Sequence, residues 1–200
     1  MVNRESALAH HYLDGKEGIE IGGGAHNSFN IVGCLNVDYT DNMNTIYKKM
    51  ELAAGAAAPM PVDIVADGSA LPFEYDSLDY ILSSHVMEHF YDPIGVLEHW
   101  IKIIRPGGYI FMIIPHKDRT FDCDRPCTPL GELIDRHTTP GLPVDVRQDH
   151  KSVWRTGDFL DLCLYMGLYI VDWRDSDDKV GNGFLIVIQK GQECLTPSIL

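Results

Sequence analysis

The chain has 200 residues, 45% hydrophobic and 22% charged, which is enough apolar material for a packed core, too much for disorder, and the length of one domain with room for an insertion. Sixteen Lys and Arg stand against twenty-nine Asp and Glu, giving −13 with neutral histidines, a sign that repels phosphate backbones and excludes a general nucleic-acid binder. No apolar run approaches the ~18–20 residues of a membrane span and the first residues hold no signal core, so a cytoplasmic protein with no membrane partner and with its five cysteines reduced is expected.

Taken in chain order, strand and helix signals alternate. Residues 18–22 (GIEIG) form a short apolar run ending in glycine, and 34–38 (CLNVD) a second one ending in an acid. Residues 41–54, with a polar start and an alanine-rich end, predict a helix. Strands follow at 62–67 (VDIVAD) and 78–84 (LDYILSS), and 93–104 (PIGVLEHWIKII) predicts a helix opened by proline, with Leu97, Ile101 and Ile104 on its buried face. Residues 109–115 (YIFMIIP) are the most apolar run and are expected at the centre of the sheet. Continuous Val, Ile and Leu runs of this kind are typical of buried parallel strands. A helix over 155–166 and two strands, 168–173 and 183–190, complete the pattern, the last pair reading as an antiparallel edge hairpin.

Residues 116–155 break the rhythm. They carry seven Lys and Arg against seven Asp and Glu, so the whole net charge lies on the rest of the chain. An irregular insertion leaving the carboxyl end of a central strand is the expected acceptor-binding region.

The first strand ends Glu20-Ile21-Gly22-Gly23-Gly24, and Asp38 closes the second. A dinucleotide site would need a third glycine at the start of a helix and an acid ~20 residues further on. Here Asn27 takes the third-glycine position, and Asp38 follows Gly24 by fourteen residues. A nicotinamide cofactor is therefore disfavoured.

These residues, with 66–73 (ADGSALPF), 78–89 (LDYILSSHVMEH) and the run from Leu97 to Arg105-Pro106-Gly107-Gly108, resemble the class I S-adenosylmethionine-dependent methyltransferases of the type 11 family. The resemblance is close over residues 15–116. It implies an α/β, Rossmann-like fold: a central seven-stranded, mostly parallel sheet with an antiparallel last strand, plus the irregular insertion after strand five. It implies S-adenosylmethionine as cofactor and S-adenosylhomocysteine as product. Gly22, Gly23 and Gly24 would pass under the methionine part, with Glu20 fixing the loop. Asp38 would accept from both ribose hydroxyls and Asp67 from the adenine amino group, beside Gly68, Ser69 and Ala70. Ser83, Ser84 and His85 would line the pocket near the sulfonium. The chain departs from the family between Gly24 and the second strand, where about ten residues leave the usual helix shortened or lost.

On the acceptor side, a histidine near neutral pKa is the expected base for a hydroxyl. His116 and His150 are the candidates, oriented by Asp149 or Asp122. Arg125 could pair bidentately with an acidic acceptor, and Thr128, His137 and Trp154 complete the expected acceptor contacts. No metal site is expected, since the Cys123 and Cys127 spacing fits no standard zinc pattern. The expected function is transfer of a methyl group to a hydroxyl of a small or medium polar molecule of sugar or natural-product type. A catalytically silent S-adenosylmethionine-binding sensor or scaffold is the alternative.

Overall fold

A computed structural model describes residues 5–147 and 149–191. One sheet of seven strands runs through it: β1 (Gly18–Ile21), β2 (Leu35–Asp38), β3 (Ile64–Val65), β4 (Leu78–Ser84), β5 (Ile104–Pro115), β6 (Ile170–Arg174) and β7 (Gly183–Gln189). Their order across the sheet is β3-β2-β1-β4-β5-β7-β6. The pairs β1–β2, β1–β4, β2–β3 and β4–β5 are parallel, while β7 runs antiparallel to both β5 and β6. The resemblance implied this architecture, and the last strand alone is reversed as expected.

Both faces of the sheet are covered, which is why its strands are apolar throughout rather than alternating. Ile81, Ile110, Met112 and Ile186 face one layer, built by α3 (Pro93–Ile103), α4 (Leu130–Thr138) and α5 (Thr156–Tyr165). Tyr80, Leu82, Phe111, Ile113, Leu185 and Val187 face the other, covered by α1 (Ala7–Leu13) and by Phe29 and Ile31. α2 (Ile46–Ala53) follows β2.

Four expectations change. The 62–67 strand contracts to two residues, and the 41–54 helix begins only at Ile46, where Thr45 caps it by accepting from the Lys48 amide. The buried seam of α3 runs through Leu97, Trp100 and Ile103, while Ile104 opens β5 and Ile101 stays half-buried. The 116–155 insertion is not irregular throughout: it contains α4, whose Leu130, Leu133 and Ile134 pack into the core at helical spacing. That apolar face is short, and it is completed by buried Arg136 bonding the Ser152 hydroxyl at 2.9 Å and the Lys151 carbonyl at 3.0 Å. Hydropathy cannot register a guanidinium as a core residue.

Both ends of the insertion are pinned together. His116 and Trp154 form a parallel bridge, and the Lys117 amide donates to the Trp154 carbonyl at 2.9 Å. The segment is thus a lobe seated on the carboxyl ends of β4 and β5. Among the described residues no helix is long and apolar enough to cross a membrane. Cys34, Cys123, Cys127 and Cys163 carry free thiols, and Cys194 lies outside the described residues.

Candidate active site

A cleft of 1710 Å³ opens along the carboxyl ends of β1, β2 and β4. Open parallel sheets bind ligands there, at the strand ends where the connections diverge. On one wall lie Glu20, Gly22, Gly23, Gly24, Asp38, Asp67, Gly68 and Ser69, and on the other Phe121, Asp149, His150 and Lys151, with Ser84, His85, Glu88 and His89 between them.

The glycine wall is held by backbone amides. Gly22 takes φ +69° and donates to the Val37 carbonyl at 2.8 Å, and a Cβ on it would stand 3.1 Å from Val86. The Gly23 amide donates to Asn36 Oδ1 at 3.0 Å, where a Cβ would come within 2.7 Å of that oxygen. A single 3-10 turn, Ala25–Asn27, replaces the missing helix. Its support comes from α2 instead: Glu51 Oε2 accepts from the Ala25 amide at 2.9 Å and from the Met60 amide at 2.8 Å. The other Glu51 oxygen stands 3.1 Å from buried Lys48, whose ammonium is also 3.7 Å from Asp38. Burial raises the Glu51 pKa, but the two amides and Lys48 outweigh it and leave it lowered. Lys48 and Glu51 escaped the sequence reading, although their i, i+3 spacing on a helix just after Asp38 is a usable signal.

Beyond β2, Asp67 Oδ1 accepts from the Ser69 amide and hydroxyl at 2.8 and 2.7 Å, leaving its second oxygen toward the cleft. Trp100 donates from the core to the Gly68 carbonyl at 2.8 Å, which ties this turn to α3. Glu20 is buried under the loop, and burial pushes its carboxyl up to about 7. Ser83 is buried and Ala70 exposed, and neither lines the cleft.

The opposite wall is assembled from β4's end and the insertion. His85 adopts φ +55°, costly for a residue with this side chain, and its amide donates to Ile113 at 2.9 Å. His150 is buried, its Nδ1 lying 2.7 Å from Asp122 Oδ2. Arg125 holds that pair by donating to Asp122 Oδ1 at 2.8 Å and to the His150 carbonyl at 3.2 Å. Phe121 covers the His150 ring, centroids 4.7 Å apart. Glu88, fully buried beside His150, is pushed up to about 8 by burial, and burial together with His150 holds His89 down near 4. Tyr47 of α2 donates to Asp149 Oδ2 at 3.2 Å, spanning the two walls.

Several predicted acceptor contacts lie elsewhere. His116 is outside the cleft lining: its Nδ1 accepts from the Asp118 amide at 3.1 Å and its ring packs against Phe184. Arg125 serves Asp122 internally and offers no free fork. Thr128 bonds the Val153 backbone, accepting on its hydroxyl at 3.0 Å and donating from its amide at 2.8 Å. His137 pairs with Asp92, the cap of α3, at 2.9 Å, and Trp154 packs edge-on against Phe159 in the core. A strand-end position alone could not tell which way His116 turns. Glu88 was passed over although it sits in the run 85–89, because an acid with no visible partner reads as surface.

Residues 19–112 match the profile of the methyltransferase-domain family. Over this stretch, just under half of the chain, the sequence is similar to methyltransferase domains. An uncharacterized methyltransferase from Mycobacterium marinum is 34% identical over 95 residues, 47% of this chain and 37% of that protein. Matches of this kind take up from 17% to 38% of the curated relatives' own length. In fold, the chain is similar to an S-adenosylmethionine-dependent methyltransferase from Methanosarcina mazei, with TM-score 0.56 and 18% identity over 94% of this chain and 98% of that one. It is similar also to the [4+2]-cyclase SpnF, with TM-score 0.55 and 12% identity over 92% and 78% of the two chains. The fold therefore hosts more than one chemistry, and the reaction has to be argued from the site.

The cofactor of the domain is S-adenosylmethionine, and the glycine wall fits it. Gly22 and Gly68 both line the cleft, and a Cβ on Gly68 would come within 2.9 Å of the Phe90 ring. Asp38 keeps acceptor capacity for a ribose diol, since Lys48 stays beyond hydrogen-bond distance. Asp38 and Asp67 suit a cationic ligand and would repel a pyrophosphate. At 1710 Å³ the cleft exceeds the ~300–1,000 Å³ of common ligand pockets and leaves space for a second substrate.

Proposed function

We propose that this chain transfers the methyl group of S-adenosylmethionine to a hydroxyl of a small or medium polar acceptor of sugar or natural-product type, and that the lobe over 116–155 shapes the acceptor site. The observation that carries this reading is His150, which lines the same cleft as the glycine wall and is paired with buried Asp122. When bound, the cofactor supplies an electrophilic methyl carbon on a positively charged sulfur.

The residues do the rest by alignment and proton handling. Asp122 fixes the hydrogen of His150 on Nδ1, so the Nε2 lone pair, which faces Glu88 at the cleft lining, can receive the proton of an acceptor hydroxyl. Arg125 keeps Asp122 from turning away, acting as a positioning residue. Phe121 shields the ring, and Tyr47 with Asp149 narrows the mouth. The acidic balance of the chain disfavours nucleic-acid acceptors, and we place the reaction in the cytoplasm.

Calorimetric titration with S-adenosylmethionine and, separately, with NADH tests the first half, with binding of the first alone expected. Methyl transfer to hydroxylated sugars, phenols and hydroxy acids tests the second. His150→Ala is expected to keep cofactor affinity and lower turnover by ~10²–10⁴. A folded protein that binds no S-adenosylmethionine overturns the reading. Binding without transfer to any acceptor, by a chain whose glycine loop lacks the family's helix, would favour the silent sensor or scaffold.

A further inference from the structure

Glu88 lies in the turn Met87–His89 directly after β4, wholly buried, with neither carboxylate oxygen hydrogen-bonded to another residue. Its Oε1 stands 3.7 Å from His89 Nε2 and 3.6 Å from His150 Nε2. The opposite nitrogen of each ring is already engaged. His150 Nδ1 faces the Asp122 carboxylate at 2.7 Å, and His89 Nδ1 faces the Asp149 carbonyl at 3.2 Å. A carboxylate and a carbonyl only accept, so both Nδ1 atoms carry the hydrogen and both Nε2 atoms are left as bare lone pairs. Two imidazole lone pairs and a carboxyl group thus converge, one ligand atom from each lying within 4.8 Å of the others.

We infer that Glu88, His89 and His150 form a binding site for a divalent first-row transition-metal ion. Ligand atoms arranged tetrahedrally at zinc-type bond lengths are about 3.4 Å apart, close to the two separations from Glu88. Each histidine has the outer hydrogen-bond acceptor that metal-ligating imidazoles use to fix ring and tautomer, Asp122 for one and a carbonyl for the other. The backbone is built around the site too: the Lys151 and Ser152 amides donate to the Glu88 carbonyl at 2.8 and 3.2 Å, and Lys151 Nζ donates to the His89 carbonyl at 2.7 Å. Two nitrogens and one oxygen favour zinc, cobalt, manganese or iron over magnesium and calcium, which prefer oxygen shells.

All three residues line the cleft, so the remaining coordination positions face it. There the ion would take a water or an oxygen of the acceptor. This acceptor role rests on the proposed function, whereas metal binding itself does not. With the ion in place, the His150 lone pair holds metal in place of a proton, and the ion's charge lowers the pKa of the bound hydroxyl so that its proton leaves to bulk water.

The test uses the tag-free chain stripped with a chelator and titrated with Co²⁺, Zn²⁺, Mn²⁺ and Mg²⁺ separately, by calorimetry and without cofactor. Visible absorption of the Co²⁺ form is recorded alongside. One transition-metal ion per chain is expected, bound at least ~100-fold more tightly than Mg²⁺, with the absorption of a low-coordinate histidine site. Glu88→Gln and His89→Ala should each weaken Co²⁺ by ~100-fold or more, and Asp122→Asn by ~10–100-fold through the outer shell. His10→Ala, on α1 and paired with Asp14, should change nothing. If Glu88→Gln fails to fold, the other two variants carry the comparison. Absence of ion binding by the wild type, or binding unchanged in the cluster variants, overturns the inference. S-adenosylmethionine binding by a chain that takes no ion sinks this inference alone, and ion uptake by a chain that ignores S-adenosylmethionine sinks the proposed function alone.

Discussion

The glycine wall and the histidine wall of the cleft hold their polar groups by different means. On the glycine wall, side chains grip backbone: Asn36 holds the Gly23 amide, Glu51 holds Ala25 and Met60, and Trp100 holds the Gly68 carbonyl. On the histidine wall, side chains grip one another: Arg125 holds Asp122, Asp122 holds His150, and His150 faces Glu88. The first arrangement shapes a surface that a ligand lies against. The second fixes tautomers and lone pairs, which is what proton transfer or metal ligation needs. Tyr47 and Asp149 join the two.

If the walls are independent, substitutions should separate along this line. The largest effect is expected from Glu51→Ala, which strands two half-buried amides and leaves Lys48 without its nearer carboxylate. Urea unfolding should show a loss of ~3–5 kcal/mol, and cofactor affinity should fall with it. Since the Glu51 carboxyl is held below its ordinary value of 4.5, its contribution is complete above that pH and disappears as the pH falls through the lower folded value. Retention of full stability would show that the 3-10 turn supports itself.

Glu20 provides the opposite sign. Its folded carboxyl is raised to about 7 from 4.5, so the folded state keeps a proton that the unfolded chain releases, and stability declines as pH rises across that window. Glu20→Gln should therefore unfold at higher temperature than wild type at pH 8, by at most roughly 3 kcal/mol, and match it near pH 4. Identical melting curves at both pH values would mean that Glu20 is ionised beneath the loop.

Asp38→Ala removes the acceptor for a ribose diol while Lys48 keeps Glu51 as its nearer partner. Cofactor affinity should drop by ~2–3 kcal/mol, or about 30- to 150-fold, with little change in unfolding. An unchanged Kd would move the ribose elsewhere along the cleft. The smallest effect sharpens the comparison from the other side. Asp122→Asn should lower acceptor turnover by ~10–100-fold and leave cofactor affinity as it was. A parallel loss of cofactor binding would show that the walls are coupled, with Tyr47–Asp149 as the natural link.

The same division accounts for what could be read in advance. The glycine wall is local in sequence: Glu20 through Gly24, Asp38 and Asp67 to Ser69 fall at strand ends within short runs, so spacing reveals them. The insertion's α4 was hidden because its buried face is completed by Arg136, and α1 because only Ala9 and Leu13 of its short length are buried. His150 lies in the least periodic part of the chain, and its relation to Glu88, sixty-two positions earlier, leaves no trace in spacing.

The sequence by itself determined the covered parallel sheet and its closing antiparallel hairpin, because those follow from strand composition, while the cofactor class came from the family resemblance that the strand-end glycines and acids carry. Only the tertiary structure decided which histidine enters the cleft. His116 and His150 are alike in type and in nearby acids, but the bridge of His116 to Trp154 aims its ring at Phe184. The Arg125–Asp122 clamp turns His150 toward Glu88 instead. That choice depends on contacts between segments far apart in the chain, where side-chain direction is set by packing rather than by any local rule.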